Sequence, residues 1–237
     1  DSSTSRGLGD VYKRQERKDD RVMKLEMHAH DCEVSQCAVI TAKDLVDGYK
    51  DAGYDGIVIT NHFDQMTLHI LGATPEEQWK AYMRGYELAK EEGERVGLTV
   101  ILGMEVRLNC GPEDFLVYGA TEEFIREHMD LCGCSQKELY EICQENGCVL
   151  VQAHPFREPC KIQDPAYLDG VERNFNSGHN NHNENLDAWL KEPERERLIV
   201  TRGSDCHSTQ QIGLEDFVID GEVKNSTELA QALKKLV

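Results

Sequence analysis

Five times in this sequence a short apolar run ends on a histidine or an acid. Met23–Met27 leads into His28-Ala29-His30, Gly56–Thr60 into Asn61-His62, and Ile101–Met104 into Glu105. Cys148–Ala153 leads into His154-Pro155, and Leu198–Arg202 into Gly203-Ser204-Asp205-Cys206-His207. Such runs read as strands, and the continuous apolar ones as strands buried on both faces. Two histidines at i and i+2 cannot share a helix face, but on a strand they point to one side. The fold must therefore set these runs side by side with their loaded ends together.

The segments between them carry helix signals. Thr41 offers an N-cap, Leu45, Val46, Tyr49 and Ala52 recur at helical spacing, and Gly53 stops the pattern. Thr74-Pro75-Glu76-Glu77 and Ser135-Gln136-Lys137-Glu138 are capping-box signatures. The first precedes a stripe of Trp79, Tyr82, Met83, Tyr86 and Ala89 that reads as core. Further strands are predicted at Phe115–Ala120, Asp169–Glu172 and Glu215–Asp220, and a helix at Asn183–Lys191. A last helix starts near Ser226 with Leu229, Leu233 and Leu236 facing inward. This alternation, without internal repeats or a linker, predicts one α/β domain with parallel strands. A (β/α) barrel fits better than a doubly wound sheet: the turn after the first strand holds two histidines where the latter uses a glycine-rich phosphate loop.

Residues 1–22 lack any periodicity to bury and read as a disordered leader. Asp10-Val11-Tyr12-Lys13-Arg14-Gln15 resembles an in-frame translation of a transposon-end adapter used for sequencing libraries, so the leader is expected to be non-native, with the catalytic domain at 23–237. The formal charge of −18 argues against a general nucleic-acid surface, which needs a basic face. No run of about 18 apolar residues is present to cross a membrane. Nine cysteines without ribbon spacing, and no segment ordered like a secretory signal, lead us to expect a reducing cytoplasm. The nearest approach to ribbon spacing, Cys132-Gly-Cys134, reads as ordinary thiols.

Imidazoles and carboxylates gathered at strand ends are the donor set of a cluster of divalent cations. Glu105 adds weight, because a carboxylate leaving an apolar strand is costly to bury unless paired or metal-bound. The ordered set His28-Ala-His30, Thr60-Asn61-His62, Gly103-Met104-Glu105, Ala153-His154-Pro155 and Gly203-Ser204-Asp205-Cys206-His207 resembles the polymerase and histidinol phosphatase (PHP) family over about residues 23–215.

The resemblance implies a distorted seven-stranded (β/α) TIM-like barrel with two or three divalent metal ions, Zn, Mn or Fe. Most known members hydrolyse phosphate esters. Carried over by position, His28, His30, Glu105 and Asp205 would hold a first ion. Glu105 would bridge to a second held by His154, and His62 and His207 would hold a third. The chain departs from the pattern in three places. Ser35 and Gln36 stand where many members have an Asp or His, and Glu33 is assigned in their place. The strand after Glu105 ends in Val117-Tyr118-Gly119 without the usual His, so the second ion is expected to be weakly held or absent. Asn61 replaces a common Asp.

Around this centre, Asp205 or His207 is expected to pass a proton to the leaving oxygen, and Arg157 to grip the phosphate. Arg107 is a second candidate for the phosphate, with Arg173 and Arg202 behind it. The asparagine-rich segment Asn174–Asn185, with His179, is expected on the rim in contact with substrate. The expected activity is hydrolysis of a small phosphorylated metabolite, as by a histidinol phosphatase. The alternatives are a nuclease or nucleotide phosphatase of the same family, a non-catalytic metal-binding module, and an amidohydrolase-type barrel. That last chemistry would want a bridging carboxylated lysine where this chain has Glu105. Nothing in the sequence sets the oligomeric state.

Overall fold

The computed structural model describes residues 21–237. Most of the leader lies outside the described residues, although Val22 already opens the first strand. Seven strands form the barrel wall: β1 (Val22–Ala29), β2 (Gly56–Ile59), β4 (Thr99–Arg107), β5 (Asp114–Tyr118), β6 (Val149–Gln152), β7 (Gly170–Asn174) and β8 (Ile199–Gly203). Their order around the wall is β8-β7-β6-β5-β4-β2-β1. A two-residue strand, β3 (His62–Phe63), continues the line of β2 and pairs with β4. The wall closes just past the end of β1, where His30 N donates to Cys206 O (2.9 Å) and Cys206 N to His28 O (3.0 Å). At the other end of β1, β9 (Phe217–Asp220) pairs antiparallel with Val22–Leu25. The expected seven-stranded TIM-like barrel is present.

The expectation of uniformly parallel strands is corrected. β5 runs antiparallel to both β4 and β6. Residues 108–113 are too short a connection for the crossover that a parallel neighbour requires. The reversal puts the first residue of β5, Asp114, at the end of the barrel where its neighbours finish.

Local capping sets the helices. Thr74 and Ser135 both close full capping boxes, on α3 (Pro75–Val96) and α5 (Gln136–Glu145), and Gly97 ends α3 in the left-handed region. α1 (Ala42–Asp51) starts at Thr41 as predicted. Two helices absent from the sequence reading, α2 (Gln65–Leu71) and α4 (Glu122–Glu127), are capped by Asp64 and Thr121. α6 covers Asn183–Trp189, and α7 covers Ser226–Leu233. Leu229 and Leu233 are buried as expected, whereas Leu236 lies past the helix and is exposed.

Outside the wall, Ile57 and Ile59 pack on Leu45 and Tyr49 of α1, while Leu102, Met104 and Val106 meet the cluster holding Tyr82 and Met83 of α3. Inside it, Leu25, Met27, Val58, Ile101 and Leu116 form one apolar cluster with Leu229 and Leu233 of α7. That helix stops the end opposite the acids and histidines, where Ala230 and Cys148 both approach Gly119. By strict alternation His28 and His30 would share the face of Glu26, away from this interior. Between Glu26 and Ala29, however, three steps of β1 match two of β2, from Ile57 to Ile59. This bulge turns Met27 and His28 inward in succession.

Candidate metal centre

Glu26 holds the bulge. Its carboxylate is fully buried beneath α1 and accepts from His28 N (2.8 Å), Ser204 N (3.0 Å), Ser204 Oγ (2.7 Å) and Tyr49 Oη (2.7 Å). Burial pushes its pKa up to about 7, against these donors. Gly203 lets β8 come this close: a Cβ there would lie 2.7 Å from His28 Cβ and 2.6 Å from Glu172 Oε1.

Each imidazole is aimed by its other nitrogen. His28 Nδ1 donates to Glu172 Oε1 (2.8 Å). Ser35 Oγ gives its hydrogen to Asn61 Oδ1 (2.8 Å) and accepts from His62 N (3.0 Å). It is therefore left to accept from His30 Nδ1 (3.2 Å). Both rings turn Nε2 inward. His28 Nε2 lies 3.2 Å from Glu105 Oε1 and 3.4 Å from Asp205 Oδ1. His30 Nε2 lies 3.4 Å from Glu105 Oε2 and 3.2 Å from Asp205 Oδ1. These four residues are buried and bring one donor atom each within 4.8 Å of one another.

Two further groups flank the four. His30, His62 and His207 form one, with His62 registered beside Glu105 and its Nδ1 2.7 Å from Glu105 Oε2. His207 Nδ1 donates to the Asp205 carbonyl (2.8 Å), and its ring stacks on His30 at 4.3 Å. Asp114, His154 and Cys160 form the other, and His154 Nε2 is also 3.0 Å from Glu105 Oε1. His154 and Asp205 hold left-handed backbone (φ 28° and 50°), unusual for residues with a side chain.

Electrostatics follow the geometry. Burial raises the pKa of Glu105, but His28 and His62 outweigh it and hold the carboxylate well below its usual range. Asp205 is treated likewise by His28, His30 and Arg157. Burial, His207 and His62 push His30 well below the usual histidine value. Burial also opposes charge on His154, yet Cys160 and Glu105 lift it to about 9.

The donors fit divalent cations. Among the described residues His28 Nε2, His30 Nε2, Glu105 Oε2 and His154 Nδ1 are buried polar atoms without a hydrogen-bond partner. Each such atom costs about 1–3 kcal/mol unless something binds it. Cations at these groups would remove that cost and displace the ring protons.

The remaining predicted residues are placed as follows. Glu33 is not in the cluster: its carboxylate accepts from Ala42 N (2.9 Å) at the start of α1. Ser35 orients His30 instead of ligating, and Asn61 ties Ser35 to Asp31, donating to Asp31 Oδ2 at 2.6 Å. Arg157 is anchored on Asp205 Oδ2 (2.6 Å), Asn174 Oδ1 (2.7 Å) and Asn181 Oδ1 (2.9 Å). Asn174 is buried and holds Arg157 from behind, whereas His179 is exposed on the rim. Arg107 makes a fork on Asp114, with both bonds at 2.7 Å. Arg173 and Arg202 pair with Asp187 and Glu215. Cys132 and Cys134 join none of the donor groups found among the described residues.

Four contributors went unread in the sequence. Glu172 accepts from both His28 Nδ1 and His154 N (3.1 Å), and Glu26 fixes the bulge. Asp114 and Cys160 bring donors beside His154, at the opposite end of β5 from Val117-Tyr118-Gly119, where the usual histidine is lacking. The short 108–113 connection was the one available signal for Asp114; Cys160 had none.

A cleft of about 600 Å³ opens over the cluster, lined by His62, Arg107, His154, Arg157, Asp205 and His207 among others. A second cavity of about 900 Å³ adjoins it and shares Asp64, Met66 and Arg107. No helix among the described residues is long and apolar enough to cross a membrane.

No protein-family model matches the chain, and no curated protein matches it. Solved structures do. A two-domain protein from Bacteroides vulgatus ATCC 8482, containing a predicted PHP-like metal-dependent phosphoesterase, aligns at TM-score 0.67 and 16% identity over 90% of this chain. The alignment spans 63% of that protein's length. PsfC from Pseudomonas syringae PB-5123 aligns at 0.62 and 18% identity, over 90% of this chain and 88% of its own. The lesion-specific endonuclease PfuEndoQ from Pyrococcus furiosus aligns at 0.61 and 14% identity, over 92% and 57%. The likeness is one of fold: this chain has a PHP-type barrel.

Proposed function

We propose that this PHP-type barrel is a metal-dependent phosphoesterase acting on a small phosphorylated metabolite, with two or three divalent ions of Zn, Mn or Fe. One observation carries the reading. His28, His30, Glu105 and Asp205 converge, the first three with donor atoms that have no hydrogen-bond partner, and a further donor group adjoins on each side. The first group would hold one ion, His62 and His207 another, and His154 with Glu105 a third. When bound, such ions supply hydroxide near neutral pH and neutralise charge on phosphoryl oxygens.

The chain's own residues do the rest. Arg157, fixed through three hydrogen bonds, keeps its guanidinium at the cleft where it meets a phosphate without first paying to become ordered. Arg107 leaves about half of its side chain exposed after pairing with Asp114, so its outer edge is available to substrate. Asn174 acts through Arg157. Proton delivery to the leaving oxygen is assigned to His207, which lines the cleft, rather than to Asp205, whose carboxylate, against burial, His28, His30 and Arg157 hold well below its usual range.

The test is phosphate release from an aryl phosphate and a panel of phosphorylated metabolites, histidinol phosphate included, with protein loaded in turn with Mn, Zn, Fe and Co. Turnover that a chelator abolishes supports the reading. Metal bound without hydrolysis of any ester leaves a non-catalytic binding module, and amide hydrolysis alone points to amidohydrolase chemistry.

A nuclease is the second reading. It is favoured by the likeness to an endonuclease and by the two adjoining cavities, which together exceed what a small metabolite fills. Its test is cleavage of short oligonucleotides in the same assay.

A further inference from the structure

We infer that Cys160 is a thiolate ligand, and that with Asp114 and His154 it makes the β5–β6 side of the cluster a sulfur-containing site selective for zinc or ferrous iron. The inference rests on the cation-binding reading above and assigns a donor beyond it. Asp114, His154 and Cys160 each bring a donor atom within 4.8 Å of the other two. Asp114 and His154 are buried, and His154 turns Nε2 toward Asp114, 3.8 Å from its Oδ2. Glu105 Oε1, 3.0 Å from His154 Nε2, is a fourth donor shared with the central group.

The chain fixes Cys160 deliberately far from the position a sequence pattern would mark. After His154 it turns back on itself, with Arg157 N donating to His154 O (3.0 Å) and Cys160 N to Arg157 O (2.7 Å). It is then tied to the segment before β5: Lys161 N donates to Glu113 Oε1 (3.2 Å), and Cys160 Sγ lies 3.5 Å from Pro112 O. The thiol thus stands beside Asp114 because two connections abut, one entering β5 and one leaving β6. The Asp114 oxygens each accept one bond from Arg107 and keep a lone pair for a second partner.

Donor chemistry sets the preference. One sulfur, one nitrogen and two oxygens suit a four-coordinate zinc site, and a thiolate disfavours Mg and Mn relative to Zn or Fe. Binding releases the thiol proton to solvent.

The experiment titrates the metal-free full chain with Co²⁺ and reads the sulfur-to-cobalt charge-transfer band in the near ultraviolet, beside zinc content by elemental analysis. The band is expected in the wild type and in Cys37→Ser, which removes the other thiol lining the cleft, and lost in Cys160→Ala. Zinc affinity at that site should fall about 100-fold or more in Cys160→Ala, since even outer-shell changes cost 10–100-fold. Alkylation of Cys160 in the wild type, followed by mass spectrometry, should slow sharply on zinc loading; this needs no variant to fold. A Cys160→Ala protein that keeps the band and its full zinc overturns the inference while leaving the metal centre standing, as does loss of the band in Cys37→Ser alone. Unslowed alkylation also overturns it. A wild type that retains neither cobalt nor zinc overturns the metal centre as well.

Discussion

On the β1–β8 flank of the cluster, His28, His30, Asp205 and His207 come as two i, i+2 pairs from strand ends that hydrogen-bond to each other. On the β5–β6 flank, Asp114, His154 and Cys160 come singly, from a reversed strand and from a loop that doubles back. The first flank lines the cleft through Asp205 and His207 and is backed by Glu26, Tyr49, Ser35 and Asn61, all buried and all hydrogen-bonded. The second faces the cleft, and both of its outer groups, Arg107 and Cys160, are partly exposed. A site built from paired strand ends is rigid before any cation arrives, while one assembled from separate connections has more freedom to lose on binding. The β1–β8 flank should therefore bind first and more tightly.

Four measurements would break or sharpen that contrast. Full chelation should abolish hydrolysis, and graded removal should strip the β5–β6 flank first; simultaneous loss of all metal would erase the distinction. Restored to free metal about a thousandfold above Kd, the protein should gain about 4 kcal/mol of stability. Next, Glu105→Gln should lower kcat by about a thousandfold. Because Glu105 touches His28, His62 and His154, metal analysis should show losses on both flanks. Loss on one flank alone would mean that they are independent sites.

Glu172→Gln comes third, at about 10- to 100-fold in metal affinity. It weakens the bond that orients His28 and the one to His154 N, so equilibrium dialysis should report both flanks again. The smallest effect belongs to Ser35→Ala. It removes the acceptor behind His30 and the one for His62 N, costing about 1–3 kcal/mol of stability by denaturant unfolding. Metal loss should be confined to the β1–β8 flank; equal weakening on the β5–β6 side would show that the flanks are mechanically coupled.

The contrast also separates what could be read from the chain from what could not. Ligands in an i, i+2 pair at the end of an apolar run are a local pattern, so His28, His30, Asp205 and His207 were visible, as were the capping boxes at Thr74 and Ser135. Asp114 was hidden because it begins a strand: only the antiparallel course of β5 makes a beginning into an end. Glu33, the acid nearest in sequence to the gap at Ser35, went instead to the first turn of α1, because Ala42 N needed an acceptor. Asn174, predicted at the substrate, serves Arg157 from behind.

By itself the sequence determined the alternation of strands and helices, and hence a barrel with a polar end, because apolar spacing and caps act over a few residues. Tertiary structure alone decided which way the side chains at that end face. The bulge at Met27-His28 exists because β2 and Glu26 hold it, and Cys160 reaches Asp114 because two connections pack together. Those are contacts between residues far apart in the chain, and no short-range pattern encodes them.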